Sequence, residues 1–347
     1  MEQQPPRWRL RLKALLFRFI GKCLSFLHTW SSPRPISASF KRTIPSTISP
    51  QPGRIGLLFY TPKDYYTRKA TYQFPAVVNY HGGGFVVGTP ADDSRWATAL
   101  VQQTDAVVIS VDYRMAPEYP FPTAVEDSAD ALLYVFQNAK ELGIDPTKVA
   151  TSGFSAGGNL CITAAMRFRE ELRMLKLRER VSEATMAKVV ESDDLPLDYN
   201  IAAIVSWYPT LDYTMTRDER RATCSRPEKT LPPTLTDLLD QSYLHPEGLN
   251  MSDPYLSPGV ASDELLKTLP EDIILYTCEW DMLQAEGKAF RDRLHERLGK
   301  RVRFTMVEEV VHAWDKHINP FMDFTSINKL YAEACHELNV VFTGKQL

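Results

Sequence analysis

The hexapeptide GFSAGG, Gly153 to Gly158, sets a serine between glycines in the pattern G-x-S-x-G, behind a short apolar run and ahead of a helical one. A serine hydroxyl is a weak nucleophile until a base takes its proton, and a strained strand-to-helix turn is the local structure that exposes it. Gly153 and Gly157 leave room for neighbouring backbone around such a turn. Ser155 is therefore the expected nucleophile of an acyl transfer. Upstream, HGGGF (His81 to Phe85) follows an apolar run that ends at Tyr80. Glycine backbone turns several N–H groups toward one point, which is what a developing oxyanion requires. The amides of Gly83, Gly84 and Ala156 are the expected donors.

Acyl transfer also needs a base and a group to orient it, and the chain offers seven histidines. His28 lies in the N-terminal segment, His81 in the glycine loop and His245 in a proline-rich stretch, while His295 and His336 fall within helical patterns. His312, after the last strand-like run, is the expected base, with His317 as alternative. Asp281, in CEWDML just past another such run, is the expected acid; Glu279 and Asp315 are alternatives. Phe85, Trp207 and Tyr208 are expected in the wall of an apolar pocket, or equally as core packing. This chemistry calls for no cofactor and no metal. The five cysteines are scattered, without CxxC spacing, which argues against a zinc site or a disulfide framework and for a reducing, cytoplasmic compartment.

These residues must be held by a scaffold of alternating elements. Strand patterns fall at Pro75 to Tyr80, Ala106 to Val111, Lys148 to Ser152, Ile201 to Trp207, Asp272 to Cys278 and Arg301 to Val307. Helical periodicity runs over Thr123 to Leu142, Glu286 to Leu298 and Ile327 to Val341. Such alternation predicts an α/β fold with a largely parallel sheet and helices on both faces. Residues 1–50 are expected to form an N-terminal helix and an irregular connector (Ser31 to Pro52), and 51–209 the first part of the core. A charged, solvated insertion is expected at 166–199, a cap at 210–258, and the rest of the core at 259–347.

A net charge of −3 gives no overall reason to invoke nucleic acid. The N-terminus departs from that average. Between Arg7 and Lys22 stand six basic residues and no acid, interleaved with Trp8, Leu10, Leu12, Leu15, Leu16, Phe17, Phe19 and Ile20. Charges recur too often for a membrane span. Two readings follow: peripheral contact of residues 7–30 with an anionic membrane surface, or a lid whose apolar side covers the site while its charges face water.

HGGGF, then DYRMAPEYPFPTAVED (Asp112 to Asp127), GFSAGG, CEWDMLQAEG and VVHAW together resemble the hormone-sensitive-lipase family of α/β hydrolases over Pro75 to Val341. The resemblance implies an eight-stranded, mostly parallel sheet, a helical cap from the N-terminus and the insertion after the sixth strand, and hydrolysis of short to medium acyl esters without a cofactor. Two positions depart from the family: Phe154 stands where it has Asp, and Ala313-Trp314 where it has Gly-Phe. Trp314 is expected to narrow the pocket. HAWDK and the charged insertion are similar to hydrolases of fungal secondary-metabolite pathways. The same scaffold also serves transacylation, cyclisation or dehydration, and, in some plant hormone receptors, binding without catalysis.

Overall fold

A computed structural model describes residues 5–28, 33–185, 199–316 and 322–344. Its strands are β1 (Phe40–Pro45), β2 (Arg54–Tyr60), β3 (Phe74–Tyr80), β4 (Val107–Asp112), β5 (Ile144–Phe154), β6 (Ile201–Trp207), β7 (Asp272–Trp280) and β8 (Arg301–Val311). The first helices are α1 (Arg7–His28), α2 (Tyr65–Arg68), α3 (Ser94–Thr104), α4 (Thr123–Gln137) and α5 (Ala156–Thr185). They are followed by α6 (Arg217–Ala222), α7 (Pro233–Tyr243), α8 (Asp263–Leu266), α9 (Gln284–Asp292) and α10 (Thr325–Thr343).

The strands join in one eight-stranded sheet, ordered β1-β2-β4-β3-β5-β6-β7-β8. β2 pairs antiparallel with both β1 and β4, and the remaining neighbours pair parallel. All seven residues of β3 are buried, as a central strand covered on both faces requires. Alternate residues feed two cores. Ala76, Val78, Ile109, Val149 and Ile204 pack with Leu132, Phe136 and Leu160 of α4 and α5. Val77, Val108, Ala150, Val205 and Ile274 pack with Trp96 of α3 and Ile327 and Tyr331 of α10. Each fully buried aliphatic side chain contributes roughly 1.5–3 kcal/mol, so the two layers hold the strand ends that carry the site.

The structure departs from the sequence expectations in several places. The connector contains β1, whose six residues are mostly exposed with only Ile44 buried, so an edge strand hides in a polar composition. β2 and α3 also lie outside the predicted elements. The segment expected as a solvated insertion begins inside the core: Met166, Phe168 and Leu172 are buried, and Phe168 stacks on Phe136. The helix expected to reach Leu298 changes pitch, with α9 ending at Asp292 and a π-helical turn covering Arg293–Arg297.

The N-terminal helix does not follow the expected division of an apolar side turned inward and charges facing water. Leu10 and Ala14 are buried, but beside them Arg7 and Arg18 also point at the body of the protein. Arg7 donates to the carbonyls of Gln241 (3.3 Å) and Ser242 (3.1 Å), in the last turn of α7, where unpaired carbonyls and the negative end of the helix dipole favour a cation. Arg18 donates to the carbonyls of Val86 (2.8 Å) and Ala116 (2.6 Å) and pairs with Glu118 at 2.9 Å. Among the described residues no helix is long and apolar enough to cross a membrane.

Candidate active site

β5 ends at Phe154 and α5 begins at Ala156, so Ser155 alone makes the turn between them. Its φ of 55° lies in the left-handed region, which costs a residue with a Cβ on the order of 1 kcal/mol or more. Tight packing below the turn enforces that conformation. A Cβ on Gly153 would sit 2.0 Å from the carbonyl oxygen of Gly157, and one on Gly157 would sit 1.9 Å from that of Tyr80. Both glycines are therefore required by close approach of backbone. The Ser155 amide donates to the Trp207 carbonyl at 2.9 Å, fixing the elbow against β6.

His312 follows β8 directly and Asp281 follows β7 directly, and these strands are parallel neighbours. The shared strand direction delivers both side chains to the same edge as Ser155. The Nε2 of His312 lies 2.8 Å from Ser155 Oγ, and its Nδ1 lies 2.6 Å from Asp281 Oδ2. Nδ1–H donates to the carboxylate, which leaves Nε2 free to accept the serine proton. The second oxygen of Asp281 accepts the Leu283 amide at 3.1 Å, so the carboxylate is held from both sides. The alternatives stand apart from this relay. Glu279 accepts from the Glu309 amide at 2.8 Å, and Asp315 accepts from the hydroxyl of Tyr331 at 2.5 Å and from that of Tyr208. His317 lies outside the described residues.

Gly83 and Gly84 adopt φ of 112° and 60° and line the cavity above Ser155. A Cβ on Gly83 would meet the Val87 carbonyl at 2.1 Å, so this turn also demands glycine. His81 stabilises the loop rather than entering the chemistry: its ring stacks on Tyr113 at 4.3 Å and its Nδ1 bonds the Gly82 carbonyl at 2.8 Å. Ala156 opens α5, where first-turn N–H groups have no carbonyl within the helix.

The cavity encloses about 970 Å³, within the upper part of the range for small-molecule sites. Tyr208 is in its wall, packed edge-on to His312 at 4.9 Å. Phe85 and Trp207 are not. Phe85 stacks on Tyr243 at 3.8 Å and Trp207 on Tyr276 at 4.0 Å, both inside the core. Trp314, likewise, does not narrow the cavity; it is buried in the layer that includes α3 and α10. The apolar wall comes instead from Leu231, Leu235 and Leu239 in and beside α7 and from Leu15 and Phe19 of α1. The i, i+4 spacing of Leu235 and Leu239 was the readable signal for an inward helix face.

Phe154 takes part in a charged cluster that the motifs did not announce. Lys316 Nζ sits 3.3 Å from the centre of the Phe154 ring, 2.8 Å from Asp93 and 3.2 Å from Asp315. Burial alone would push the Lys316 ammonium down, but the two carboxylates hold it above its ordinary value. The cation thus rests on the ring quadrupole while its charge is neutralised on the other side.

A family model described as alpha/beta hydrolase fold matches residues 77–316. An arylesterase of Saccharolobus solfataricus is 34% identical over 232 residues, covering 63% of this chain and 62% of the relative. A carboxylesterase of Mycobacterium tuberculosis is 38% identical over 147 residues, covering 40% of this chain and 46% of the relative. The chain thus spans less than two thirds of either relative's length. The solved structure of a hyperthermophilic esterase from Pyrobaculum calidifontis superposes with a TM-score of 0.70 at 27% identity, over 96% of each chain.

Proposed function

The chain belongs to the α/β-hydrolase fold family, and from that premise we propose that it hydrolyses carboxylic esters through a covalent acyl-enzyme on Ser155. The observation that carries the proposal is the relay of 2.8 and 2.6 Å linking Ser155, His312 and Asp281 at the floor of an apolar cavity. The names of the esterase relatives point the same way.

Ser155 Oγ attacks the ester carbonyl while His312 Nε2 accepts its proton, and Asp281 stabilises the imidazolium that forms. Negative charge on the carbonyl oxygen is received by the amides of Gly83, Gly84 and Ala156, each such donor contributing about 3 kcal/mol or more to the transition state. His312 then protonates the departing alcohol, and water repeats the sequence to release the acid. The acyl chain lies among Leu235, Leu239 and Leu15, which suits short to medium acyl groups. In this reading α1 and residues 210–258 form the cap that excludes water. A reducing, cytoplasmic compartment is part of this reading, from five scattered cysteines without paired spacing.

Hydrolysis of a short-chain aryl ester tests this directly. Ser155→Ala should lower kcat by about four orders of magnitude or more with its fold intact. Equal rates in both proteins would overturn the assignment.

A further inference from the structure

Seven of the thirteen large apolar side chains exposed among the described residues fall between Trp8 and Ile20 of α1, so the exposure is concentrated on one helix. At 100° per residue, Trp8, Leu12, Leu15, Leu16 and Phe19 share one arc, and their exposures run from 54% to 67%. Arg7, Leu10, Ala14 and Arg18 occupy the opposite arc and are turned to the protein, the two arginines held by backbone carbonyls. The helix is therefore locked with its apolar stripe outward. Exposed cations border that stripe on both sides, Arg11 and Lys22 along one edge and Arg9 and Lys13 along the other. No acidic residue interrupts the helix.

We propose that the outward face of α1 docks in the interfacial region of an anionic lipid membrane. An apolar stripe between two rows of cations matches the acyl boundary below and the anionic headgroups beside it. A solvated lid would gain nothing from presenting Trp8, Leu12, Leu16 and Phe19 to water. Charge complementarity selects lipid over a second copy of this chain, whose own α1 carries the same uncompensated cations. Leu15 and Phe19 belong both to the outward face and to the cavity wall, so docking brings the cavity mouth to the lipid surface.

The test is flotation of the full chain with vesicles of phosphatidylcholine alone and of phosphatidylcholine containing phosphatidylserine. The native chain should float with the anionic vesicles and lose binding as salt is raised. Arg9→Gln/Lys13→Gln should weaken that binding about tenfold or more, from roughly 1 kcal/mol per basic residue at an anionic surface. Leu12→Ser/Leu16→Ser should weaken it by a similar about tenfold factor through lost apolar burial. Both pairs lie outside the cavity wall, so an unchanged thermal midpoint and unchanged hydrolysis of a water-soluble ester serve as the folding control. Flotation needs no hydrolase activity and stands or falls independently of it. No flotation with anionic vesicles, or a dimer in solution that Leu12→Ser/Leu16→Ser dissolves, would overturn the proposal.

Discussion

At the scale of single residues, the relay, the glycines and the buried lysine each make a separate demand. Asp281→Asn preserves shape but removes the acceptor that fixes the His312 tautomer, so kcat should fall by about 10⁴-fold, read in a steady-state ester assay. Gly157→Ala places a methyl 1.9 Å from the Tyr80 carbonyl oxygen, and backbone on both sides leaves it nowhere to move. It should cost about 3 kcal/mol or more in urea unfolding, or prevent folding. Lys316→Met strips the counter-charge from Asp93 and Asp315, both buried, and should destabilise the chain by about 3 kcal/mol in the same experiment. The residues of the relay were legible in the sequence because each stands in a short motif whose neighbours are dictated by backbone geometry. The aromatic wall was not: Phe85 and Trp207 stack inside the core while Tyr208 reaches the cavity, and composition carries no sign of that. The Lys316 cluster was hidden because Asp93 and Lys316 are far apart in sequence and meet only through the fold.

At the scale of elements, the central strands were readable because they are apolar on both faces, whereas β1 was not, since an edge strand with one buried residue looks like a connector. α5 shows the limit of a charge-based reading: Met166, Phe168 and Leu172 are a buried stripe within a charge-rich run. α9 carries a titratable contact with the segment that follows β6. Glu286 accepts the Leu211 amide at 2.7 Å, and burial pushes its carboxyl up to about 7 despite the nearby Arg220 and Arg217. A raised carboxyl favours the protonated folded state. Its stabilising contribution is full below the unfolded carboxyl range, near pH 4.3, and is lost as pH rises through about 7. Glu286→Gln keeps the acceptor without the charge and should flatten the decline in unfolding free energy across that window, measured by urea titration at several pH values.

At the scale of the whole molecule, the strand order brings the C-terminal ends of β5, β7 and β8 to one edge, where a serine, an acid and a histidine from distant parts of the chain converge. That convergence follows from motif order plus parallel pairing, and so the architecture could be anticipated. The orientation of α1 could not, because its arginines alternate with apolar residues, and it is the carbonyls of α7, Val86 and Ala116, with the carboxylate of Glu118, that decide which arc turns inward. Arg7→Ala/Arg18→Ala should release the helix, seen as faster limited proteolysis within residues 7–28 with the rest of the chain resistant. In the proposed reaction this assembly turns Ser155 into a nucleophile. Intact-mass and peptide analysis after treatment with a fluorophosphonate tests it most directly. The expected result is one adduct per chain, on Ser155, formed at a rate that His312→Ala sharply reduces; an unmodified Ser155 in an ester-hydrolysing sample would contradict it.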